Sequence, residues 1–256
     1  MRIIKAKSVL AGVGLLMVAT TASATIMYDQ NVTGDVIFGS GNANGGFTTD
    51  RQNGIELGLR AKLRFDETNQ PQNVFNSNGD GTYQFDNILP PSGFSFAPNS
   101  PSTAIWNFEW SVNSSFDGSG GFLDNFSYLL EIDFDPSAGT NFIGLDPVNV
   151  PSSDNALGNN STPNGGGLVD EANYGSNIGV NNLAQNSWNM EFAPFDFNAL
   201  DVGIYDFVLS AFDSQQQLLA STSIQVINAR VPEPQTWIPF SFALLGLAWL
   251  RRRAKQ

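Results

Sequence analysis

The 256-residue sequence contains no cysteine and no histidine. The first absence excludes disulfides, thiolate metal sites and cysteine nucleophiles. The second excludes imidazole ligands and any Ser-His-Asp triad. Positive charge is also scarce: Lys plus Arg number 12 against 24 Asp plus Glu, a formal net charge of −12. Seven of the 12 lie near the ends, as Arg2, Lys5, Lys7, Arg251, Arg252, Arg253 and Lys255. Residues 25–230 hold five (Arg51, Arg60, Lys62, Arg64 and Arg230) against 23 acids, a formal −18. Such a surface repels phosphate, which argues against a nucleic-acid partner. No segment of 25–230 carries a sustained helical stripe. At roughly 100–200 residues per domain the length predicts one domain, or at most two.

Both ends carry export features. Arg2, Lys5 and Lys7 form a positive start, Ser8 to Ala19 an apolar stretch, and Ala22-Ser23-Ala24 puts small residues at −3 and −1. This is the pattern of a secretory signal peptide over 1–24, with cleavage before Thr25 directed by Ala22 and Ala24. The apolar stretch falls short of the ~20 residues needed to span a bilayer, which argues against an uncleaved anchor. The absence of cysteine at the cleavage site argues against a lipoprotein.

Residues 231–256 read Val231-Pro232-Glu233-Pro234, then apolar Trp237–Leu250, then Arg251-Arg252-Arg253. With snorkelling arginine stems, a transmembrane helix over about 236–250 approaches bilayer thickness. The arginines act as a membrane stop and set an N-out, C-in orientation. Pro239 lies in the first turn of this helix, where a missing N–H is tolerated.

The order of motif, short apolar helix and basic tail is similar to the PEP-CTERM sorting signal of exosortase-processed bacterial proteins. Val231, Pro232, Glu233 and Pro234 match its motif, Gly246-Leu247 its usual helix dipeptide, and Arg251–Arg253 its tail. The resemblance covers only about the last 26 residues. It implies export, transient retention in the inner membrane, recognition of Pro-Glu-Pro by an exosortase, and release to the cell envelope surface or the extracellular matrix. In that role Val231–Pro234 are recognition residues for another enzyme. The alternative is an ordinary single-pass anchor.

Between the ends, period-2 alternation dominates. Ile55–Phe65, Trp106–Val112 and Phe126–Phe134 alternate apolar and polar residues, and further strands are expected at Val32–Phe38, Thr82–Ile88, Trp188–Phe192, Ile204–Phe212 and Leu218–Ile227. Such alternation predicts one buried and one wet face. The last two strands, joined by Asp213–Gln217, read as a closing hairpin. With turns supplied by 27 Asn and 25 Gly, the expected fold of 25–230 is all-β, an antiparallel, jelly-roll-like β-sandwich. The polar segment 146–186 either hides short strands around Leu168–Tyr174 and Ile178–Leu183 or runs as a surface excursion.

Chemical candidates are few. Asn76, Asn78 and Asp80 place oxygen side chains at alternate positions, like half of a calcium loop. The twelfth position, where an EF-hand needs a carboxylate, is Asn87. A hairpin turn at Asp80-Gly81 accounts for the same residues. Glu131, Asp133 and Asp135 read as a solvated sheet face, with calcium or a sugar as alternative ligands. Trp106, Trp110 and Trp188 could stack a sugar, but two of them share the apolar face with Phe108, which favours core packing. The glycosylation-like tripeptides at Asn31, Asn113, Asn125 and Asn160 are expected by chance in so Asn- and Ser-rich a chain. The reading is a non-enzymatic surface or matrix protein, structural or adhesive in exopolysaccharide or biofilm. Calcium is its only candidate cofactor; exosortase, the inner membrane and exopolysaccharide are its candidate partners. The alternatives are a calcium- or aromatic-dependent carbohydrate-binding module and an extracellular carboxylate-based hydrolase.

Overall fold

The computed structural model describes residues 25–35, 38, 42–70, 72–95, 100–151, 153–192 and 196–230. The signal segment 1–24 with Ala22 and Ala24, and the sorting segment with Val231–Pro234 and Arg251–Arg253, lie outside them. Among the described residues no helix is long and apolar enough to cross a membrane.

The fold is all-β. Eleven strands, β1 (Met27–Gln30), β2 (Phe47–Gln52), β3 (Ile55–Leu63), β4 (Thr82–Phe85), β5 (Trp106–Asn113), β6 (Ser127–Asp133), β7 (Phe142–Leu145), β8 (Ala156–Gly158), β9 (Leu183–Asn189), β10 (Gly203–Phe212) and β11 (Leu218–Asn228), form two sheets. A six-stranded sheet has the order β1-β2-β3-β5-β9-β8, and a five-stranded sheet β4-β11-β10-β6-β7. The chain passes between them five times, after β3, β4, β5, β7 and β9. One pair departs from the expected antiparallel arrangement: β4 lies parallel to β11, with Thr82 opposite Gln225. More than 130 residues separate the two strands, ample for the crossover that parallel pairing requires.

Tight turns set the registers. β2 and β3 meet at Asn53-Gly54, both with positive φ (52° and 78°), as a two-residue hairpin requires. The expected closing hairpin is β10–β11, paired from Gly203↔Asn228 outward. Its turn is tied by Asp213, whose Oδ1 accepts N–H bonds from Gln215 and Gln217, each 2.8 Å.

The inward rows of both sheets belong to one hydrophobic cluster. At its centre Trp106 is fully buried, with the rings of Phe85, Phe207 and Tyr205 at 6.1–6.3 Å; Phe108 meets Phe207 at 4.6 Å. Ring pairs of this kind add to the area term that makes large aromatics effective core residues without disulfides.

Segment 146–186 is neither plain loop nor the pair of strands expected. It contributes β8, a single bridge between Leu157 and Leu168, a 3-10 turn Glu171–Asn173 and a short helix α1 (Tyr174–Ile178). Asparagine side chains replace a ladder here: Asn155 Nδ2 donates to the Tyr174 hydroxyl and to Pro147 O, and Asn186 Nδ2 to Asn155 Oδ1, each at 2.7 Å. Three further strand expectations are corrected. Described residues 32–35 and 38 form no strand, and pairing occurs earlier, in β1. β9 begins at Leu183, not Trp188, and the expected stretch 188–192 ends in a 3-10 turn, Met190–Phe192. β2 was not foreseen.

Candidate functional site

The wet face expected for the six-stranded sheet is covered. Every residue of β5, and β3 from Ile55 to Lys62, is buried on both faces. What covers the outer face, among the described residues, is 31–35, 38 and 42–46, between β1 and β2. Val32 packs on Phe47, and Phe38 on Ala156 and Leu183. A covered polar face must find partners for its charges, because an unpaired buried charge is costly. The pairing found here gives the molecule its most unusual chemistry.

Register places Arg60 opposite Glu109 across β3 and β5, with Lys62 two residues on along the same face. Arg60 Nε donates to Glu109 Oε2 at 2.6 Å, and Lys62 Nζ lies 2.9 Å from Glu109 Oε1. All three side chains are at most 6% exposed. The covering segment supplies the remaining acceptors. Arg60 Nη1 donates to Ala43 O at 2.8 Å and Gly45 O at 2.6 Å, while Lys62 Nζ donates to Asn42 Oδ1. The Phe47 and Phe75 rings lie 4.2 and 4.6 Å from the Arg60 Cζ. A second anchor lies further along the face: Glu56 takes the Thr33 N–H at 2.6 Å, the Thr33 hydroxyl at 2.7 Å and the Arg51 guanidinium.

Burial alone would raise the Glu109 carboxyl. The Arg60 and Lys62 charges outweigh it and hold Glu109 down at about 2. Lys62 is pushed down from the usual ammonium range, chiefly by burial, against the pull of Glu109. Two cations thus share one carboxylate, and the cluster carries a buried excess of positive charge.

The residues singled out in the sequence fall elsewhere. Asn76, Asn78 and Asp80 form the turn that enters β4. Asn78 N donates to Thr82 O at 2.9 Å, and Asp80 Oδ1 accepts from the Thr82 N–H at 3.0 Å and hydroxyl at 2.6 Å. Asn87 reaches away, donating to Leu200 O at 3.0 Å. Among the described residues no group of three or more acidic side chains is gathered as a metal site would need.

Trp106 and Trp110 are core residues, so the expected three-indole platform is not formed; Trp188 is half-buried, edge-on to Trp110 at 6.0 Å. Asp133 is not solvated as expected. It is fully buried, and its Oδ1 accepts the Asp135 and Asn141 N–H groups at 3.0 and 2.7 Å to close the turn before β7. Asn113, read as a chance glycosylation tripeptide, is also buried, donating to Asn160 Oδ1 at 2.7 Å.

Sequence reasoning missed the Arg60–Glu109–Lys62 cluster because its residues occupy the polar positions of alternating strands. One signal was present: four of the five cations of 25–230 fall within 51–64. No family model, curated protein or solved structure matches the chain.

Proposed function

We propose that this is an exported protein of the cell surface or extracellular matrix, sorted by an exosortase through Val231–Pro234 and structural or adhesive in exopolysaccharide or biofilm. The observation that carries the reading is the order Val-Pro-Glu-Pro, apolar stretch, triple arginine, set opposite a secretory signal at the other end. The two sheets are the layers of a jelly-roll-like β-sandwich ectodomain. β11 ends at Asn228, and Val231 follows after only Ala229 and Arg230, so the motif sits just beyond the last core strand. Proline fixes its own φ and turns the preceding residue away from helix, a sequence preference that suits recognition of Pro232–Pro234 by an enzyme at the membrane.

The non-enzymatic reading is preferred because the most perturbed carboxylate, Glu109, is sealed between Arg60 and Lys62, where no diffusing substrate reaches it. The carbohydrate-binding alternative loses its proposed platform, since Trp106 and Trp110 are spent on the core. Replacing Pro232, Glu233 and Pro234 by alanine and fractionating the cells tests the proposal. The variant is expected to stay in the inner membrane with its domain folded, because the stop-transfer segment does not depend on the motif. Release as efficient as the parent's replaces sorting with a plain anchor or unspecific proteolysis.

A further inference from the structure

We propose that Lys62 and Asn42 are a self-modifying pair that joins, through Nζ and Cγ, into an intramolecular amide, with Glu109 as the catalytic carboxylate. The inference is independent of the sorting route. Three observations carry it. First, the reacting groups are brought together inside the protein: Lys62 Nζ contacts Asn42 Oδ1, and the same Nζ lies 2.9 Å from Glu109 Oε1. Lys62 is 5% exposed, Asn42 9% and Glu109 4%.

Second, the asparagine is held in place. Its side-chain amide donates to Phe38 O, and its backbone carbonyl accepts from Asn164 Nδ2, so the carboxamide carbonyl is presented to the lysine. Holding nucleophile and electrophile in contact replaces a bimolecular encounter with an intramolecular one, the condition under which slow acyl transfers become fast. Third, the charge does not balance. Arg60 and Lys62 share one carboxylate, and converting the ammonium to an amide leaves a matched Arg60–Glu109 pair.

The step is balanced. Burial favours the neutral amine of Lys62, whose lone pair attacks Asn42 Cγ and forms the Nζ–Cγ bond. Glu109 accepts the proton from Nζ in the tetrahedral adduct and passes it to Nδ2. The Cγ–Nδ2 bond breaks and ammonia leaves. One amide replaces another, Glu109 is regenerated, and no oxidant or co-reactant is consumed. Arg60 is a positioning residue: it holds Oε2 while Oε1 faces the lysine. The product would bolt the covering segment to β3. In a chain without cysteine that is a covalent tie of a kind disulfides cannot supply.

Tryptic mapping of the full-length protein by mass spectrometry tests this. Trypsin does not cut after an acylated lysine, so the expected species joins the peptide ending at Arg51 to peptide 61–64. It should weigh about 17 Da less than the two together, the mass of one ammonia. A succinimide at an Asn-Gly step would show the same mass loss but leave the two peptides unjoined.

Lys62→Arg keeps the positive charge and removes the nucleophile, so it should yield no joined species while remaining folded by circular dichroism. Glu109→Gln should leave the chain linear; a joined species in that variant overturns the role of the carboxylate. Cleavage after Lys62 together with an unmodified Asn42 peptide in the parent protein overturns the proposal, whatever the variants do.

Discussion

Replacing Glu109 by glutamine keeps the volume of the side chain and removes the one negative charge facing Arg60 and Lys62. Arg60 then stays buried between β3 and the covering segment without a counter-ion, beside a Lys62 that has formed no amide. Breaking a buried ion pair from one side costs about 3–5 kcal/mol, because the remaining charge has nowhere to go. The downward shift of the Glu109 carboxyl leads to a similar magnitude. A carboxyl brought from 4.5 to about 2 on folding corresponds to about 3 kcal/mol at roughly 1.4 kcal/mol per unit.

Urea unfolding of residues 25–230 at neutral pH reads this directly. With a slope of about 2 kcal/mol/M, the midpoint should fall by about 1.5 M. The pH dependence supplies a second check. Because the folded-state value lies below the unfolded one, the contribution is complete above the ordinary glutamate range and disappears as pH falls through about 2. The gap between parent and variant should therefore narrow steadily below about pH 5. A loss under about 1 kcal/mol, or a gap that does not change over that range, would refute the argument that the cluster is a paired, water-excluded unit.

Gly58→Ala should destabilise by about 1–3 kcal/mol in a thermal melt, since a Cβ there would lie 2.7 Å from Val32 Cγ1 and 3.1 Å from Phe47 Cδ1. Unchanged melting would mean that the covering segment yields without cost. Trp106→Ala should cost about 3–5 kcal/mol by equilibrium unfolding, and a loss below 1 kcal/mol would contradict its place at the centre of the core. Calcium should leave the melting temperature of residues 25–230 unchanged, because Asn76, Asn78 and Asp80 are spent on the β4 turn. A rise that chelator reverses would restore the calcium reading, as a ligand stabilises the state that binds it.

The strands legible in the sequence are those whose inner face is apolar at every second residue. β3, β5, β6, β10 and β11 all begin and end within two residues of the expected bounds. β2 was not legible because three of its four buried side chains, Thr48, Thr49 and Asp50, are polar. Thr48 and Asp50 meet β11 through hydrogen bonds, with Thr222 Oγ1 donating to Thr48 O at 3.1 Å and Ser221 N to Asp50 Oδ2 at 2.9 Å. β7 and β8 have four and three residues, too few for a period to emerge. α1, with five residues, is too short to display a stripe. The site was missed for a different reason. Alternation reports which side chains differ from their neighbours, not whether a later layer covers the polar row. The layer that meets Arg60 and Lys62 comes from residues 42–46, Asn-Ala-Asn-Gly-Gly, a stretch with no pattern of its own.

That layer changes what the charge count means. A formal −18 over residues 25–230 would ordinarily be softened by cations scattered among the acids. Here Arg60 and Lys62 are withdrawn from the surface, and Arg51 is committed to the buried Glu56. Four acids, Asp50, Glu56, Glu109 and Asp133, are buried as well, so the outer surface stays strongly acidic. The attraction those cations would lend to the surface acts instead between β3, β5 and the covering segment. Surface pairs weaken in salt because water and ions screen them, whereas a pair sealed from solvent is screened far less. A domain built this way keeps its internal fastening as the ionic strength around it changes, while its acidic exterior resists self-association. The positive charge of Arg60 and Lys62 therefore serves cohesion of the fold, which is why a search among those two cations leads to the interior.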